Sequence, residues 1–277
     1  MTNLSPQLRQ HLQPSLFWGI RQKVPLWLQV LLPILGLAVP LFIWTAISSS
    51  GTTSNTFLPP PDKVLEGGWK LWQENVLLLD IFASNGRVLL GFLGAAVLGV
   101  PLGIAIGTFG SIEWLSAPIL GTVRYMPVNA FVPLIMLWVG IGEDAKVLMV
   151  FLSVFFFIII MIADAVKFIP DDLLNASYTL GATRRDVVLK TIMPAVLPSV
   201  LDTLRVNIAG AWNLLIVAEV IASQNGLGYR IIQSQRYVQA DKMLFCIITI
   251  GLIGLITDFV FRRITIWLTP WAEHNKA

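Results

Sequence analysis

Long apolar runs separated by short polar segments organise this chain. They cover residues 27–47, 87–109, 115–140, 145–166, 196–222 and 243–267. Each is close to the roughly 20 apolar residues that a helix needs to cross a bilayer, so the pattern predicts six spanning helices. Pro33 and Pro40 lie inside the first run, and Pro118, Pro127 and Pro133 break the third. Membrane helices tolerate such breaks where neighbouring protein or a water-filled cavity receives the freed backbone groups. A bent, path-lining helix and a merely kinked packing helix are both open for the third run. In the second run Gly99, Gly103 and Gly107 recur every four residues. Such a small-residue face lets helices approach closely, and packing within the bundle is preferred here over dimerisation.

Residues 48–86 form a predicted outer loop. It opens with Ser, Thr, Gly and Pro, then alternates Val64, Leu65, Trp69, Leu71 and Trp72 with charges. That alternation predicts an amphipathic helix lying on the membrane surface with its tryptophans at headgroup level. A seventh span through 64–82 is disfavoured because charges interrupt it.

Composition sharpens the class. The chain has 277 residues, 56% hydrophobic and 13% charged, against roughly 25% charged in soluble domains. The pattern and composition together predict an all-α polytopic membrane protein. Its one cysteine, Cys246, lies in an apolar run and excludes a disulfide within the chain; His11 and His274 lie in the tails. The net charge of +3 requires no nucleic acid, because basic residues collect in membrane-flanking loops. The first 26 residues are polar and carry Arg9, Arg21 and Lys23 rather than a signal-peptide pattern. With six spans both tails share one side. That side holds ten Lys and Arg and the other holds seven, so both termini are expected in the cytoplasm.

The most polar long segment between spans is "PDDLLNASYTLGATRRDVVLKTIMPAVLP". Asp171 is placed to cap a short helix that stops at Gly181. Thr183, with Asp186 three residues on, is close to a capping box for a second helix, which Pro194 and Pro198 close. The predicted product is a helix–Gly–helix elbow on the cytoplasmic side, spanning 168–194. It carries apolar Leu174, Tyr178 and Leu180 beside Arg184 and Arg185. A mere connection needs only a few residues. A docking surface for another protein is therefore preferred over a helix pair lying on lipid.

This elbow resembles the cytoplasmic signature loop of ABC-importer permeases: Glu-Ala-Ala, three residues, Gly, nine residues, Ile-x-Leu-Pro. Ala176, Gly181 and Pro194 sit in register; Asn175 replaces the Glu, Ser177 the second Ala and Met193 the Leu. "RYMPVNAFVPLIMLWVGIGEDAKVL", "LRVNIAGAWNLLIVAEVIASQNGLGY" and "RRITIWLTPW" are similar to the permeases for taurine, aliphatic sulfonates, nitrate and bicarbonate, with the closing "LTPW" nearer the taurine and sulfonate branch. The resemblance covers roughly residues 57–271 and implies a type I ABC importer permease fold (MetI-like) in a bacterial cytoplasmic membrane. It implies coupling through Asn175, Ala176, Ser177, Tyr178, Leu180, Gly181, Ala182, Thr183 and Arg184 to a cytoplasmic ATPase subunit. It also implies ATP and Mg on that partner, a separate extracytoplasmic substrate-binding protein and a second permease copy. The chain itself has no phosphate-binding loop and no Gly-Lys pair, so it is not expected to be an enzyme or to hold a cofactor.

Ionisable groups inside spans are costly, about 2.5–3.5 kcal/mol at a helix centre, and face a cavity or a partner. Asp164, Asp202 and Asp258 lie near span ends, where solvation or pairing accounts for them. On the fifth span Arg205, Ala209, Trp212, Ile216 and Glu219 share a face. Arg124, Asn129, Arg205, Trp212, Asn213 and Glu219 are the candidate lining of a translocation path, with Arg124 a candidate partner for Glu219. A structural pair locking helices is the competing reading for Glu219, and a gate or loop anchor for Arg205. Two other functions compete with an ATP-driven importer. An ion-driven secondary transporter would show an internal repeat, and none is evident. An intramembrane hydrolase would need histidines or metal ligands within the spans.

Overall fold

The computed structural model describes residues 24–51, 54 and 56–272. Most of both expected tails, with His11 and His274, lies outside them. The chain divides at Pro61 into two compact units. The first holds α1 (Leu26–Ser49), with Pro33 and Pro40 inside it. Trp44 Nε1 donates to the Pro59 carbonyl at 3.1 Å, closing the chain back on this helix.

The second unit is all helical among the described residues. Its elements are α2 (Pro61–Gln73), α3 (Leu77–Thr108), α4 (Gly110–Val123), a 3-10 turn (Val128–Phe131), α5 (Val132–Val139), α6 (Glu143–Lys167) and α7 (Asp171–Thr179). A single turn (Arg184–Asp186) and a π segment (Val187–Ile192) then lead into α8 (Met193–Ala222), α9 (Leu227–Arg236) and α10 (Ala240–Leu268). Among the described residues of the whole chain, five helices, α1 included, are long and apolar enough to cross a membrane, and α4 with the segment Val128–Val139, bent by 84°, makes a sixth if the pair is one span. Pro127 heads the 3-10 turn at the bend and Pro133 opens α5. Neither ring nitrogen has a hydrogen to donate, so the break falls where the ladder is already open.

The glycine stripe packs inside the bundle. An added Cβ on Gly103 would come within 2.9 Å of the Ile159 carbonyl oxygen, and one on Gly107 within 2.6 Å of that of Ala163. α3 and α6 therefore meet backbone to backbone, as close packing in lipid favours. Phe92, Val150, Ile158 and Ile162 fill the core along this seam, and Trp212 and Leu215 of α8 close it. In α10 only Cys246 is buried. Its threonines Thr249, Thr257 and Thr265 donate to carbonyls four residues back, satisfying their hydroxyls within the helix.

α2 is amphipathic, as its alternation predicts. Val64 and Leu71 are buried, while Leu65, Trp69 and Trp72 are exposed. A Cβ on Gly68 would strike the Phe245 ring at 2.1 Å, so this glycine seats α2 against α10. Lys63 and Lys70 both bind Glu66, at 2.8 and 3.0 Å. Hydrogen bonds first from Lys63 and then from Lys70 hold its carboxyl down at about 2.

Two boundaries differ from expectation. α3 starts at Leu77, not Arg87, because Asp80, Ser84 and Arg87 point into the bundle and are buried there. The elbow's second helix is not separate. It runs through the π segment into α8. A proline ring clashes with the carbonyl four residues back, and the wider π register shifts that pairing just ahead of Pro194.

A test follows from the seam. Gly107→Leu is expected to destabilise the solubilised protein by about 1–3 kcal/mol through overpacking. Gly121→Ala, where an added Cβ meets nothing within 4 Å, is the control and lowers stability not at all. Thermal unfolding in detergent reads both.

Candidate functional site: an exposed elbow, a buried ion knot and an open cavity

The elbow begins where α6 ends. Phe168, its C-cap, is 85% exposed. Pro170, not Asp171, occupies the N-cap of α7, and no side chain caps this helix. Proline's fixed φ suits the turn into the helix. Asp171 and Asp172 sit in the first turn, where negative charge meets the positive end of the helix dipole. At the other end Gly181 N donates to the Tyr178 carbonyl at 2.9 Å, and Ala182 N to that of Ser177 at 3.1 Å. These two bonds make a Schellman stop, which needs the left-handed φ of +83° that Gly181 adopts. The capping box then forms in full. Asp186 N donates to Thr183 Oγ1 at 3.3 Å and Thr183 N to Asp186 Oδ2 at 3.2 Å. The Ser177 and Thr191 hydroxyls, 3.0 Å apart, tie α7 to the π segment.

This local chemistry sets what the elbow presents. Asn175 and Ala176 are exposed on α7, and Ser177 is half-buried. Tyr178 is 50% and Leu180 88% exposed. Gly181, Thr183 and Arg184 are exposed, with Ala182 half-buried between them. Among the described residues, Leu180 packs against none of the main core cluster.

The residues predicted for a translocation path fall into four groups. Trp212 is buried in the main core. Arg205 pairs with Asp258 of α10 and lies 4.0 Å from Asp202. Arg124, Asn129 and Asn213 are brought together around an open cavity of about 360 Å³ at the bend between α4 and α5. Glu219 stands apart from these. It is fully buried, and its partner is Arg87, at 2.6 Å, rather than Arg124.

Arg87 and Glu219 are the centre of a polar knot. Glu219 also accepts from Ser84 Oγ at 2.8 Å and from Gly228 N at 2.8 Å. Arg87 forks onto Glu143 through Nε at 2.6 Å and Nη2 at 2.8 Å, and reaches the Asn225 carbonyl at 3.0 Å. Lys146 binds Glu143 at 2.7 Å and Ser223 at 3.0 Å. Asp80 accepts from Gly226 N and from Arg230 Nε, each at 2.7 Å. α3, α6, α8, α9 and the loop 223–226 thus meet at one point. Gly226 has φ +113°, and an added Cβ would lie 2.4 Å from Glu219 Oε1. Arg87, Ser84, Glu143 and Lys146 were not foreseen as site residues. A signal existed: Asp80, Ser84 and Arg87 fall at i, i+4 and i+7, one helical face.

Residues 99–268 match the family described as "Binding-protein-dependent transport system inner membrane component". The taurine transport system permease protein TauC of Escherichia coli (strain K12) is 32% identical over 257 residues, covering 91% of this chain and 94% of that protein. This chain belongs to that family. It is an ABC importer permease of the taurine, sulfonate and bicarbonate group. The putative aliphatic sulfonates transport permease protein SsuC of Bacillus subtilis (strain 168) is 32% identical, covering 84% of this chain and 85% of that protein. The bicarbonate transport system permease protein CmpB of Synechococcus elongatus is 28% identical, covering 89% and 90%. An inward-facing structure of the MetNI methionine ABC transporter shares the fold, with TM-score 0.63 and 20% identity over 70% of this chain and 96% of that one. The permease is thus a multi-pass membrane protein of the MetI-like fold. Among the described residues no cluster of His, Cys, Asp or Glu is arranged to hold a metal ion.

The knot makes a stability prediction for the permease. Arg87→Ala strands a buried carboxylate and is expected to cost roughly 3–5 kcal/mol. Glu219→Gln leaves Arg87 its fork onto Glu143 and is expected to cost clearly less. Denaturation of the two purified variants gives the order.

Proposed function

We propose that this permease imports a small anion of the sulfonate or bicarbonate class into the cytoplasm, driven by ATP hydrolysed on separate cytoplasmic subunits. The relatives support the anion class, since their names specify taurine, aliphatic sulfonates and bicarbonate. Two copies of the chain, an extracytoplasmic binding protein and two ATPase subunits complete the assembly, with both termini cytoplasmic. Lipid covers much of the remaining apolar surface, of which Leu255, Phe259 and Trp267 on α10 are examples, at 69%, 55% and 79% exposure.

One observation carries the coupling: Leu180 stands 88% exposed on a turn that a Schellman stop and a capping box make rigid. The half-exposed Tyr178 beside it is of a residue type enriched at interface anchors. Asn175 to Arg184 therefore form the contact with an ATPase subunit, and Tyr178 and Leu180 fill its cleft. The ion knot makes α3, α6, α8 and α9 one body. ATP binding closes the ATPase pair, pulls the two elbows, and turns each body as a unit to alternate access to the path at the α4–α5 bend.

Leu180→Asp tests this. The permease is expected to insert and to keep its thermal stability, because the side chain touches no core. Copurification of ATPase subunits and ATP-driven uptake are expected to fall by about tenfold or more, as for a lost interface anchor. Unchanged uptake and copurification would contradict the coupling.

A further inference from the structure

Arg124 lies fourteen residues after the start of α4 at Gly110 and fifteen before the end of α5 at Val139, mid-way along the bent span. Ser153 is similarly central in α6. Several other cations of the spanning helices, near their middles or at their ends, are paired within the chain. Arg87 and Lys146 meet Glu143, Lys167 meets Glu113, and Arg205 meets Asp258. Among the described residues no carboxylate lies within 4 Å of the Arg124 guanidinium. A cation at that depth needs an anion or water beside it.

The cavity supplies the place. It holds about 360 Å³ and is lined by Arg124, Asn129, Ser153, Phe157, Gly210 and Asn213. Asn129 follows Pro127 at the 84° break, where the chain leaves helical register. Asn213 spends one amide hydrogen on the Ala209 carbonyl at 3.2 Å and keeps the other. The Ser153 hydroxyl donates its hydrogen to the Val150 carbonyl and keeps acceptor capacity alone. The remaining polar groups are the guanidinium fork, two asparagine amides, each with an acceptor oxygen beside its N–H donors, and the Tyr125 phenol. Among the described lining residues the one charge is the positive Arg124 fork, which favours an oxyanion over a cation.

We infer that Arg124, with Asn129 and Asn213, forms an anion subsite mid-way through the permease that receives the oxyanion headgroup of the cargo, a sulfonate or a bicarbonate. This deepens the proposed function and rests on it. It separates Arg124 from Arg205 and Glu219, whose charges are already matched. The competing occupant is a carboxylate of a second copy of this chain, which would make Arg124 an interface pin.

The test uses the whole transporter with its ATPase and binding proteins in proteoliposomes, and a radiolabelled two-carbon sulfonate. The reading is molecules imported per ATP hydrolysed. Arg124→Gln is expected to lower it about tenfold or more, and Arg124→Lys, which keeps the charge but not the fork, to recover part of the loss. Asn129→Ala is expected to lower it by less. A ratio unchanged in Arg124→Gln overturns the subsite. So does an Arg124→Gln permease whose two copies separate on sizing, which assigns the arginine to the interface. Wild-type import without ATP overturns the ATP-driven reading alone; Arg124→Gln then tests the subsite through the import rate.

Discussion

The Arg87–Glu219 pair is the interaction on which the rest of this bundle depends. Glu219 is fully buried and Arg87 is 4% exposed. Taking two such charges out of water costs several kcal/mol each, and only close geometry with every remaining lone pair engaged offsets it. The chain meets that demand by bringing Ser84, Gly228, Glu143 and Asn225 to the same point. The consequence is mechanical as much as energetic. Four helices and the loop 223–226 cannot shift separately without breaking a bond to one of these two side chains.

The same rule explains where the permease departs from it. Wherever polar groups are matched internally, the structure is locked: the ion knot, Arg205 with Asp258, and the threonines of α10. Among the described residues, two places that bear on the cycle are open. At the elbow an apolar side chain is held out on a polar turn; at the α4–α5 bend a charge is held beside an open cavity. In the proposed cycle the first receives force, the second receives cargo, and the locked body between them transmits one to the other.

Local features of this architecture were legible in the residues. The Gly181 stop and the Thr183–Asp186 box rest on bonds that span three to five residues, so the sequence carries them directly. The stripe Gly99, Gly103 and Gly107 announced a close helix contact, though not that α6 would supply it. What escaped was long-range. Arg87 and Glu219 are 132 residues apart, and nothing local pairs them. Polar Asp80, Ser84 and Arg87 looked like the approach to a span, when they are its buried first turns. Arg124 was matched with Glu219 because both were charges in spans; burial, which only the fold supplies, separates them. The π segment also escaped, since its cause is the crowding of Pro194 rather than a change of hydrophobic period.

The account's central claim is that the knot makes each permease copy one moving body. Distances between paired spin labels test it most directly, on the exposed elbow at Leu173 and the exposed turn at Gln239, with ATP trapped and without nucleotide. The account predicts that the distance within one copy is unchanged between the two states, while that between equivalent elbows of the two copies shifts beyond the width of its distribution. An intra-copy distance that changes as much as the inter-copy one would contradict it.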